Sequence, residues 1–389
     1  MYRLRLLPWE YGVRNLLRRP TRTALTLVGL TTVVLLIFVV VSFIRGLESS
    51  LAASGESDVV LVYSLSSGSD IENSSISART PSLLSASLDG IQERFGSKSI
   101  SPELYLGSRI TVPSENVEGL GLVRGVTEAV SLVRQKVQIV EGAWPEADEV
   151  LVGRLAHSKL GVEASSLAIG ETVEFDGKSW RVSGRFGAGG STFESEVWCP
   201  LPSMQTALKR QDLSLVAVKL GEGASTSDVE LFCSERLDLE LKAVAESEFY
   251  AKLQQHYKPV RMLGWLVVWL IASAGVFAGL NTMYGAVVGR TRELSTLQAM
   301  GYRRQAITIS LIQEAILLGA GGSLIASLLA FLVINGTAVR FTMGAFTLKV
   351  DSTAVALSCG TGLLLGVLGA IPPAVKAMRL QIVEGIKAV

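Results

Sequence analysis

The residues best able to do chemistry in this chain are charged, and they gather around one short segment. Between positions 289 and 305 the charged side chains are Arg290, Arg292, Glu293, Arg303 and Arg304. Glu314 follows inside the next apolar stretch, where a carboxylate must face protein and find a partner or be protonated. We expect Glu314 to pair with Arg292, Arg303 or Arg304. A side chain that extends toward lipid headgroups is the alternative.

Sequence signatures of catalysis are absent. The two histidines, His157 and His256, are about 100 residues apart, and no cysteine or histidine cluster has metal-ligand spacing. No G-x-x-x-x-G-K-[ST] phosphate loop occurs, so nucleotide is not bound in that way. We therefore expect no enzyme activity, no metal site and no cofactor in this chain. A nucleic-acid partner is also disfavoured, because no basic stripe lies on a soluble fold.

The three cysteines are too few for a disulfide scaffold. Cys359 lies in an apolar segment, whereas Cys199 and Cys233 lie in the long polar region. If that region is outside the cytoplasm, Cys199 and Cys233 can form a disulfide; two unpaired, small apolar side chains are the alternative.

Composition indicates a membrane protein with one large water-facing domain. The chain has 389 residues, of which 49% are hydrophobic and 18% charged, and its mean hydropathy is +0.41. Four segments are apolar over the roughly 20 residues that cross a bilayer. These predicted spans are residues 23–45, 261–288, 306–335 and 352–376. About 30 of the 35 acidic residues fall between positions 46 and 258.

The basic residues predict the orientation of the spans. They flank the spans at Arg3, Arg5, Arg14, Arg18, Arg19 and Arg22, at Arg290, Arg292, Arg303 and Arg304, and at Lys376, Arg379 and Lys387. With four spans all of these clusters share one side, which the positive-inside rule assigns to the cytoplasm. Both termini, the 289–305 loop and the 377–389 tail are then cytoplasmic. Residues 46–258 and the 336–351 loop are extracytoplasmic, in a bacterial inner membrane.

The predicted fold is four transmembrane α-helices with a large extracytoplasmic α+β domain, residues 46–258, between the first and second spans. Within this domain, Asp176-Gly177 separates two alternating runs and predicts a β-hairpin. Residues 1–22 carry leucines and Trp9 among arginines, which is typical of an amphipathic helix at the inner membrane surface. A basic flank that sets only topology is the alternative.

The 289–305 segment itself predicts a short helix that ends at Gly301 in the C′ position. Leu294, Leu297 and Met300 form an apolar stripe on it. Such a helix can place its stripe in a groove of a partner while its arginines meet acidic side chains. A solvated connector is the alternative.

Small residues at four-residue spacing predict close helix packing in the spans, as in GxxxG contacts. The pairs are Gly275 with Gly279, Gly285 with Gly289, and Gly362 with Gly366. Glycine is common in membrane helices, so each pair alone is weak support. Together they favour a packed bundle and a dimer.

Several stretches resemble the MacB/FtsX-type (Lol-like) ABC transporter permeases. RNLLRRPTRTALTLVGL (14–30) resembles that family's entry into its first span, and GLNTMYGAVVGRTRELSTLQAMGYRRQAI (279–307) its second span and coupling helix. QEAILLGAGGSLIA (313–326) and IPPAVKAMRLQIVEGI (371–386) resemble its third span and C-terminal tail, although Ile382 stands where a proline is usual. VQIVEGAWPEADEVLVG and FGAGGSTFESEVWCPL resemble outer-domain segments of stand-alone permeases.

This resemblance implies a permease without its own ATPase domain. Such permeases work in pairs, as homo- or heterodimers, and each docks a soluble LolD- or MacB-like ATPase that binds ATP and Mg. The implied coupling residues are Arg290, Arg292, Glu293, Leu294, Leu297, Met300, Gly301, Arg303 and Arg304. A periplasmic adaptor of the MacA/HlyD type and membrane lipid are further implied partners.

The leading hypothesis is export of a periplasmic or outer-leaflet substrate by mechanotransmission. A Lol-like lipoprotein-releasing permease is a close alternative. An FtsX-like transmitter that regulates a cell-wall hydrolase is another, although an outer domain of about 210 residues is large for it. A receptor that senses antibiotics usually has more than four spans. Neither the substrate nor the choice between these roles follows from the residues.

Overall fold

A computed structural model describes residues 9–68, 70–342 and 344–378. These residues form two compact units. The first, which we call the span unit, comprises the described parts of Met1–Arg45, Pro259–Thr337 and Leu348–Val389. The second, the sheet unit, comprises Gly46–Lys258 and Ala338–Thr347.

The helices of the described residues are α1 (Trp9–Arg18), α2 (Pro20–Ser54), α3 (Thr80–Ser87), α4 (Val130–Val133), α5 (Ala156–Leu160), α6 (Leu201–Leu208), α7 (Thr226–Glu235), α8 (Glu246–His256), α9 (Lys258–Val288), α10 (Thr291–Ala299), α11 (Arg304–Leu329) and α12 (Ser352–Met378). A π-helical turn, Ala330–Ile334, continues α11.

The strands are β1 (Val59–Ser64), β2 (Glu93–Arg94), β3 (Ser97–Lys98), β4 (Ile100–Val112), β5 (Val117–Val126), β6 (Gln138–Gly142), β7 (Glu149–Gly153), β8 (Thr172–Phe175), β9 (Lys178–Gly187), β10 (Val197–Pro200), β11 (Leu215–Lys219), β12 (Leu241–Ala245), β13 (Ala338–Phe341) and β14 (Gly344–Thr347). Four short 3₁₀ turns lie at Leu65–Ser67, Ala164–Leu167, Thr192–Ser195 and Leu237–Leu239.

Among the described residues, four helices are long and apolar enough to cross a membrane. They are Pro20–Ser54, Lys258–Val288, Arg304–Ile334 and Ser352–Lys376. With the α+β sheet unit lying between the first and second of them in sequence, the predicted fold class is confirmed. The first helix runs nine residues beyond the predicted span, because Leu47 and Leu51 continue an apolar face that is buried within the sheet unit.

Two predicted segments differ in detail from what the structure describes. The 336–351 loop contains the antiparallel hairpin of β13 and β14, which belongs to the sheet unit. At the N-terminus, α1 ends at Arg18, and Pro20 begins α2 in the first-turn position that proline favours. Residues 1–8 of the predicted amphipathic helix and residues 379–389 of the predicted tail lie outside the described residues.

The sheet unit is built on one ten-stranded mixed sheet. Its strand order is β12-β1-β11-β4-β5-β10-β7-β9-β6, and β8 pairs with β4 and β9. Neighbours are antiparallel except for β5 with β10 and β7 with β9. The 13 residues of β4 pair with β11 at one end and with β5 along the rest, so this strand joins the two halves of the sheet.

The Asp176-Gly177 prediction of a hairpin is confirmed. These two residues connect β8 to β9 with φ angles of +51° and +71°, which is the type I′ geometry that matches strand twist. Phe175 and Trp180 then stack across the turn with ring centroids 4.9 Å apart. Both rings are buried in the main core of the unit.

Cys199 and Cys233 do not form the disulfide considered above, since both thiols are free and buried. Cys199 lies on β10, whereas Cys233 lies on α7, which packs on β12. Five strand positions separate β10 from β12, which at about 4.8 Å per strand is on the order of 20 Å. A disulfide requires Cα atoms within about 7 Å.

A network of two arginines and three glutamates is buried inside the sheet unit. Arg124 bonds Glu196 through Nε (2.7 Å) and Nη2 (2.5 Å), and reaches Glu103 through Nη1 (2.5 Å). Arg134 donates to Glu103 at 3.2 Å and to Glu246. All five side chains are at most 4% exposed.

The number of arginines beside Glu103 and beside Glu246 determines the direction in which each pKa shifts. Burial alone would raise the pKa of Glu103, but Arg134 and Arg124 outweigh burial and hold this pKa below its usual value. Glu246 has one arginine beside it, so burial prevails and its pKa is raised. Glu103, shared by both arginines, is therefore the carboxylate whose charge the fold depends on.

Glu103→Gln is expected to lower the free energy of unfolding by about 3–5 kcal/mol, because it leaves two buried guanidiniums short of negative charge. Since the folded pKa of Glu103 lies below its ordinary value of 4.5, its contribution is complete above that pH and is lost as pH falls through the folded pKa. Thermal unfolding of the full chain in detergent, followed from pH 7 downward, measures both effects.

The matched control is Glu118→Gln, an exposed carboxylate on β5 that pairs with Arg109 at 3.4 Å. This surface change is expected to cost less than about 1 kcal/mol. Equal destabilisation by the two substitutions would contradict the assignment of Glu103 as the central carboxylate.

Candidate functional site

Arg290, Glu314 and Asn15 form a buried polar site in the span unit. Arg290 Nη1 and Nη2 each donate to one oxygen of Glu314, both at 3.0 Å. The side-chain amide of Asn15 donates to the same carboxylate at 3.2 Å and 3.4 Å. Arg290 and Glu314 side chains are 6% and 8% exposed. One carboxylate thus joins three segments of the chain: α1, the start of α10 and the middle of α11.

The position of each side chain explains this contact. Glu314 is ten residues into α11, about 15 Å along the helix axis. Arg290 is the N-cap residue of α10, directly after α9 ends, so its side chain can turn back toward α11. The two parallel hydrogen bonds fix the planes of guanidinium and carboxylate, which is the strongest geometry for such a pair.

The prediction that Glu314 pairs with Arg292, Arg303 or Arg304 is therefore wrong. These three arginines are exposed: Arg292 lies on α10, Arg303 is the N-cap of α11 and Arg304 begins α11. Among the arginines of the loop that the structure describes, Arg290 is the buried one, and it bonds Glu314. Arg290, one of the predicted coupling residues, has its guanidinium buried within this chain against Glu314, and its role in coupling stays a prediction.

The apolar stripe of α10 packs against the chain itself. Leu294 is 4% exposed and contacts a cluster of Val287, Ile307, Leu311 and Ala374. Leu297 is partly buried against the same cluster. The prediction that the stripe enters a groove of a partner is therefore wrong for Leu294, whereas for the partly buried Leu297 it stays a prediction. Met300, by contrast, is 63% exposed.

Gly301 ends α10 in the geometry expected from the sequence. Its φ is +92°, a conformation that residues with a Cβ rarely adopt. The amide of Tyr302 bonds the carbonyl of Leu297 at 3.2 Å, and the amide of Gly301 bonds that of Gln298 at 3.0 Å. These are the two bonds of a Schellman motif. Tyr302 and Leu297 both pack on the cluster beneath α10.

The exposed charged residues of the loop, together with Met300, form a surface that we call the α10 face. Its members, all exposed, are Arg292, Glu293, Met300, Arg303 and Arg304. Arg19 approaches Glu293 at 3.9 Å, a solvent-exposed contact that contributes little to stability. Arg292 and Glu293 of this face lie on α10, which packs on the apolar cluster through Leu294 and is joined to α11 by the Arg290–Glu314 pair.

Two further arginines tie the first span to the end of the second. Arg22 donates to the carbonyl of Thr282 at 2.5 Å, and Arg19 to that of Gly289 at 3.4 Å. Gly289 directly follows the last residue of α9, where carbonyls lack intrahelical partners and attract cations, whereas Thr282 lies inside the helix. The sequence assigned these arginines only to topology, yet Arg19 also caps the end of α9 and Arg22 bonds its last turns.

Glycines allow close contact between the spans at most of the predicted pairs. A Cβ on Gly366 would lie 2.8 Å from the carbonyl oxygen of Ala315, and one on Gly275 would lie 2.9 Å from Val33. Gly362 is equally crowded by Ser323 and Val34, whereas Gly279 has ordinary contacts with α12. Gly285 has no described heavy atom within 4 Å of its Cβ position, and Gly289 meets mainly its own helix. The Gly285–Gly289 pair therefore does not pack another span within this chain.

Asn15 is the site residue that the sequence analysis missed. It is 7% exposed on α1, between Val13 and Leu17, which are 44% and 73% exposed. The available signal was a single amide side chain among the apolar residues of this segment, which indicates a buried polar contact. Without knowledge of which helix α1 contacts, its partner could not be inferred.

Removing one member of the Arg290–Glu314 pair is expected to destabilise the span unit. Arg290→Met or Glu314→Gln leaves a buried charge without its counter-charge and should lower the unfolding free energy by about 3–5 kcal/mol. The double substitution Arg290→Met with Glu314→Leu removes both charges and should recover most of that loss. Unfolding in SDS, followed by tryptophan fluorescence, measures this cycle.

Arg292→Met serves as the control, since Arg292 is exposed on the same helix, and its effect should stay within about 0.5 kcal/mol. A double variant as unstable as the sum of both single variants would mean that Arg290 and Glu314 do not act together.

The chain matches two families that divide it between them. Residues 23–230 match the MacB-like periplasmic core domain. Residues 265–382 match the FtsX-like permease C-terminal region. Both are parts of ABC transporter permeases, and neither is a catalytic domain.

Individual relatives are distant. The macrolide export ATP-binding/permease protein MacB of Hahella chejuensis is 24% identical across 94% of this chain and 57% of its own length. The protein of the same name from Bordetella avium is 25% identical, with the same coverage. This chain thus spans little more than half the length of these relatives.

Among solved structures, the periplasmic region of MacB from Actinobacillus actinomycetemcomitans is similar over 52% of this chain and 94% of that one. The identity is 12% and the TM-score 0.39. The match of the periplasmic core domain model covers more than half of the chain, and the permease model covers most of the remainder. The chain is therefore a multi-pass membrane protein of the MacB/FtsX-type ABC transporter permease family.

Proposed function

We propose that this chain transmits ATP-driven motion of a separate ATPase subunit to its sheet unit, for export of a periplasmic or outer-leaflet substrate. The observation that carries the proposal is the bidentate Arg290–Glu314 pair. It joins the base of α10 to the middle of α11, so a force applied to the loop acts directly on a span. The loop and α11 would therefore move together.

The docking surface in this proposal is the α10 face. Arg292, Arg303 and Arg304 offer positive charge, and Met300 offers an apolar contact at the end of the helix. A partner of complementary shape would present acidic side chains around an apolar pocket. Leu294 and Leu297 support the face from beneath. The partner ATPase would hold ATP and Mg.

The orientation follows from the positive-inside rule. Arg14, Arg18 and the α10 face would lie in the cytoplasm of a bacterium, with both termini on that side of the inner membrane. The sheet unit would then lie in the periplasm. Residues 46–258 hold most of the acidic residues of the chain, whereas the basic clusters flank the spans on the side assigned to the cytoplasm.

The assembly would contain a second permease protomer, in a homo- or heterodimer. α9 is the natural contact helix, because its described residues are the least buried of the four spans and Gly285 is open within this chain. A periplasmic adaptor of the MacA/HlyD type would receive the substrate. The macrolide export proteins among the relatives support export over lipoprotein release or an FtsX-like regulatory role.

Reversing the charge of Arg292 is expected to release the ATPase without unfolding the chain. Arg292→Glu on the exposed α10 face should remove at least about nine-tenths of the vanadate-sensitive ATP hydrolysis that co-purifies with the tagged full-length chain from its native membranes. Membrane insertion and thermal stability should stay as in the wild type. Leu297→Asp is a poorer test, because Leu297 packs within the chain.

Arg94→Glu is the matched control, as Arg94 is an exposed arginine of the sheet unit. It should leave co-purifying ATP hydrolysis unchanged. If Arg292→Glu retains the wild-type level, the α10 face is not where the ATPase docks.

A further inference from the structure

The sheet unit contains a cavity of about 220 Å³. All residues that line it belong to this unit. Leu47 and Leu51 come from the last turns of α2, and Leu61 and Leu122 from strands of the large sheet. Six aromatic residues also line it: Tyr105, Phe249, Tyr250, Tyr257, Phe341 and Phe346. The cavity is therefore apolar over most of its surface.

Two carboxylates, Asp70 and Glu72, line the same cavity. Asp70 is exposed and accepts hydrogen bonds from the amide of Glu72 (3.2 Å) and the side chain of Asn73 (2.6 Å). Glu72 is half-buried and lies against the backbone of β4: a Cβ on Gly107 would be 2.8 Å from its Oε2 atom. Among the described residues, no side chain or amide donates to the Glu72 carboxylate.

The negative charge of Glu72 is consequently uncompensated. Burial, and then the charge of Asp70, raises its pKa above the ordinary value. No cation of the described residues forms an ion pair with it, although Lys159 lines the adjoining cleft that Glu72 also borders. Lys159 instead donates to the carbonyl of Thr342 at 2.5 Å. A half-buried carboxylate held without a counter-charge lowers the stability of the fold.

The other charged groups of the cavity neutralise each other. Arg124 and Glu196 are joined by two hydrogen bonds of 2.7 Å and 2.5 Å. The guanidinium is covered by the ring of Tyr105, 4.1 Å from its centroid. Neither Arg124 nor Glu196 therefore offers a free charge to a ligand. The net charge that the cavity presents is negative, and it comes from Asp70 and Glu72.

We propose that this cavity binds a small organic cation, an ammonium group carried on an apolar body. The ammonium would lie against Glu72 and supply the missing counter-charge. Aromatic faces such as that of Tyr257 attract cations through their π-electrons, and the apolar body would fill the leucine-lined part. An anionic or uncharged apolar ligand would leave Glu72 buried and unpaired, at a cost.

The size of the cavity limits the ligand. At about 220 Å³ it is smaller than the roughly 300–1,000 Å³ of sites for drug-sized molecules. One ring with a short ammonium arm matches this volume. The inference goes beyond the proposed function, since such a site would exist whether or not the chain couples to an ATPase.

Benzyltrimethylammonium is a suitable probe, because it is a permanent cation with one ring and dissolves in water. Its binding to the full-length chain in lipid nanodiscs is measured by isothermal titration calorimetry, without nucleotide or ATPase. The wild type should show saturable binding, and Glu72→Gln should bind at least about tenfold more weakly. The anion 3-phenylpropionate should not bind.

A stability measurement separates lost binding from misfolding. Without ligand, Glu72→Gln should unfold at a higher temperature than the wild type at pH 7, because it removes the desolvated charge. The exposed Glu222 is the matched control, and Glu222→Gln should leave both binding and unfolding temperature unchanged. The proposal is overturned if the wild type does not bind the probe saturably, if Glu72→Gln binds it equally well, or if 3-phenylpropionate binds comparably. None of these outcomes bears on ATPase docking at the α10 face.

Discussion

The span unit depends on one buried carboxylate. Glu314 accepts two hydrogen bonds from Arg290 and two contacts from Asn15, and so it connects α1, the base of α10 and α11. In a low-dielectric environment such a charge is stable only with its partners in place. Any movement of α10 away from α11 would separate the Glu314 carboxylate from the Arg290 guanidinium that neutralises it. Because that separation costs free energy, α10 and α11 are expected to move together.

The sheet unit uses the same chemistry for its own rigidity. Glu103, Arg124 and Arg134 are buried at the junction where β4 joins the two halves of the sheet. The aromatic residues around them, Phe193 and Trp198 among them, place their rings over the guanidiniums. Glu72 stands apart from this arrangement, since it carries a charge that the fold does not balance. That contrast is the reason to look for a ligand there.

Much of the architecture could be predicted from the sequence, because it depends on local patterns. The four spans follow from the length of the apolar segments, the β8–β9 hairpin from Asp176-Gly177, and the end of α10 from Gly301. The exposed arginines of the α10 face likewise follow from their spacing. Each of these features is decided by a few neighbouring residues and by the solvent around them.

Other features depend on contacts between distant segments, and the sequence could not specify them. Arg290 and Arg292 are chemically identical, and only the angle at which α10 leaves α9 decides which one reaches Glu314. The apolar stripe that includes Leu294 has the same sequence pattern whether it packs on a partner or on the chain itself. The order of the sheet, which keeps Cys199 far from Cys233, arises from pairings across more than a hundred residues. The acidic cavity likewise requires the β13–β14 hairpin to close over residues from α2 and α8.

The central claim is that the Glu314 contact holds α10 in one position on the spans. Spin labels at Met300→Cys and Leu324→Cys, both exposed sites of the span unit, allow their separation to be measured by double electron–electron resonance in a variant without the native cysteines. The account predicts one narrow distance distribution with Glu314 present and a clearly broader one after Glu314→Gln. Equal widths in both proteins would show that the ion pair does not fix the loop, and would contradict the account.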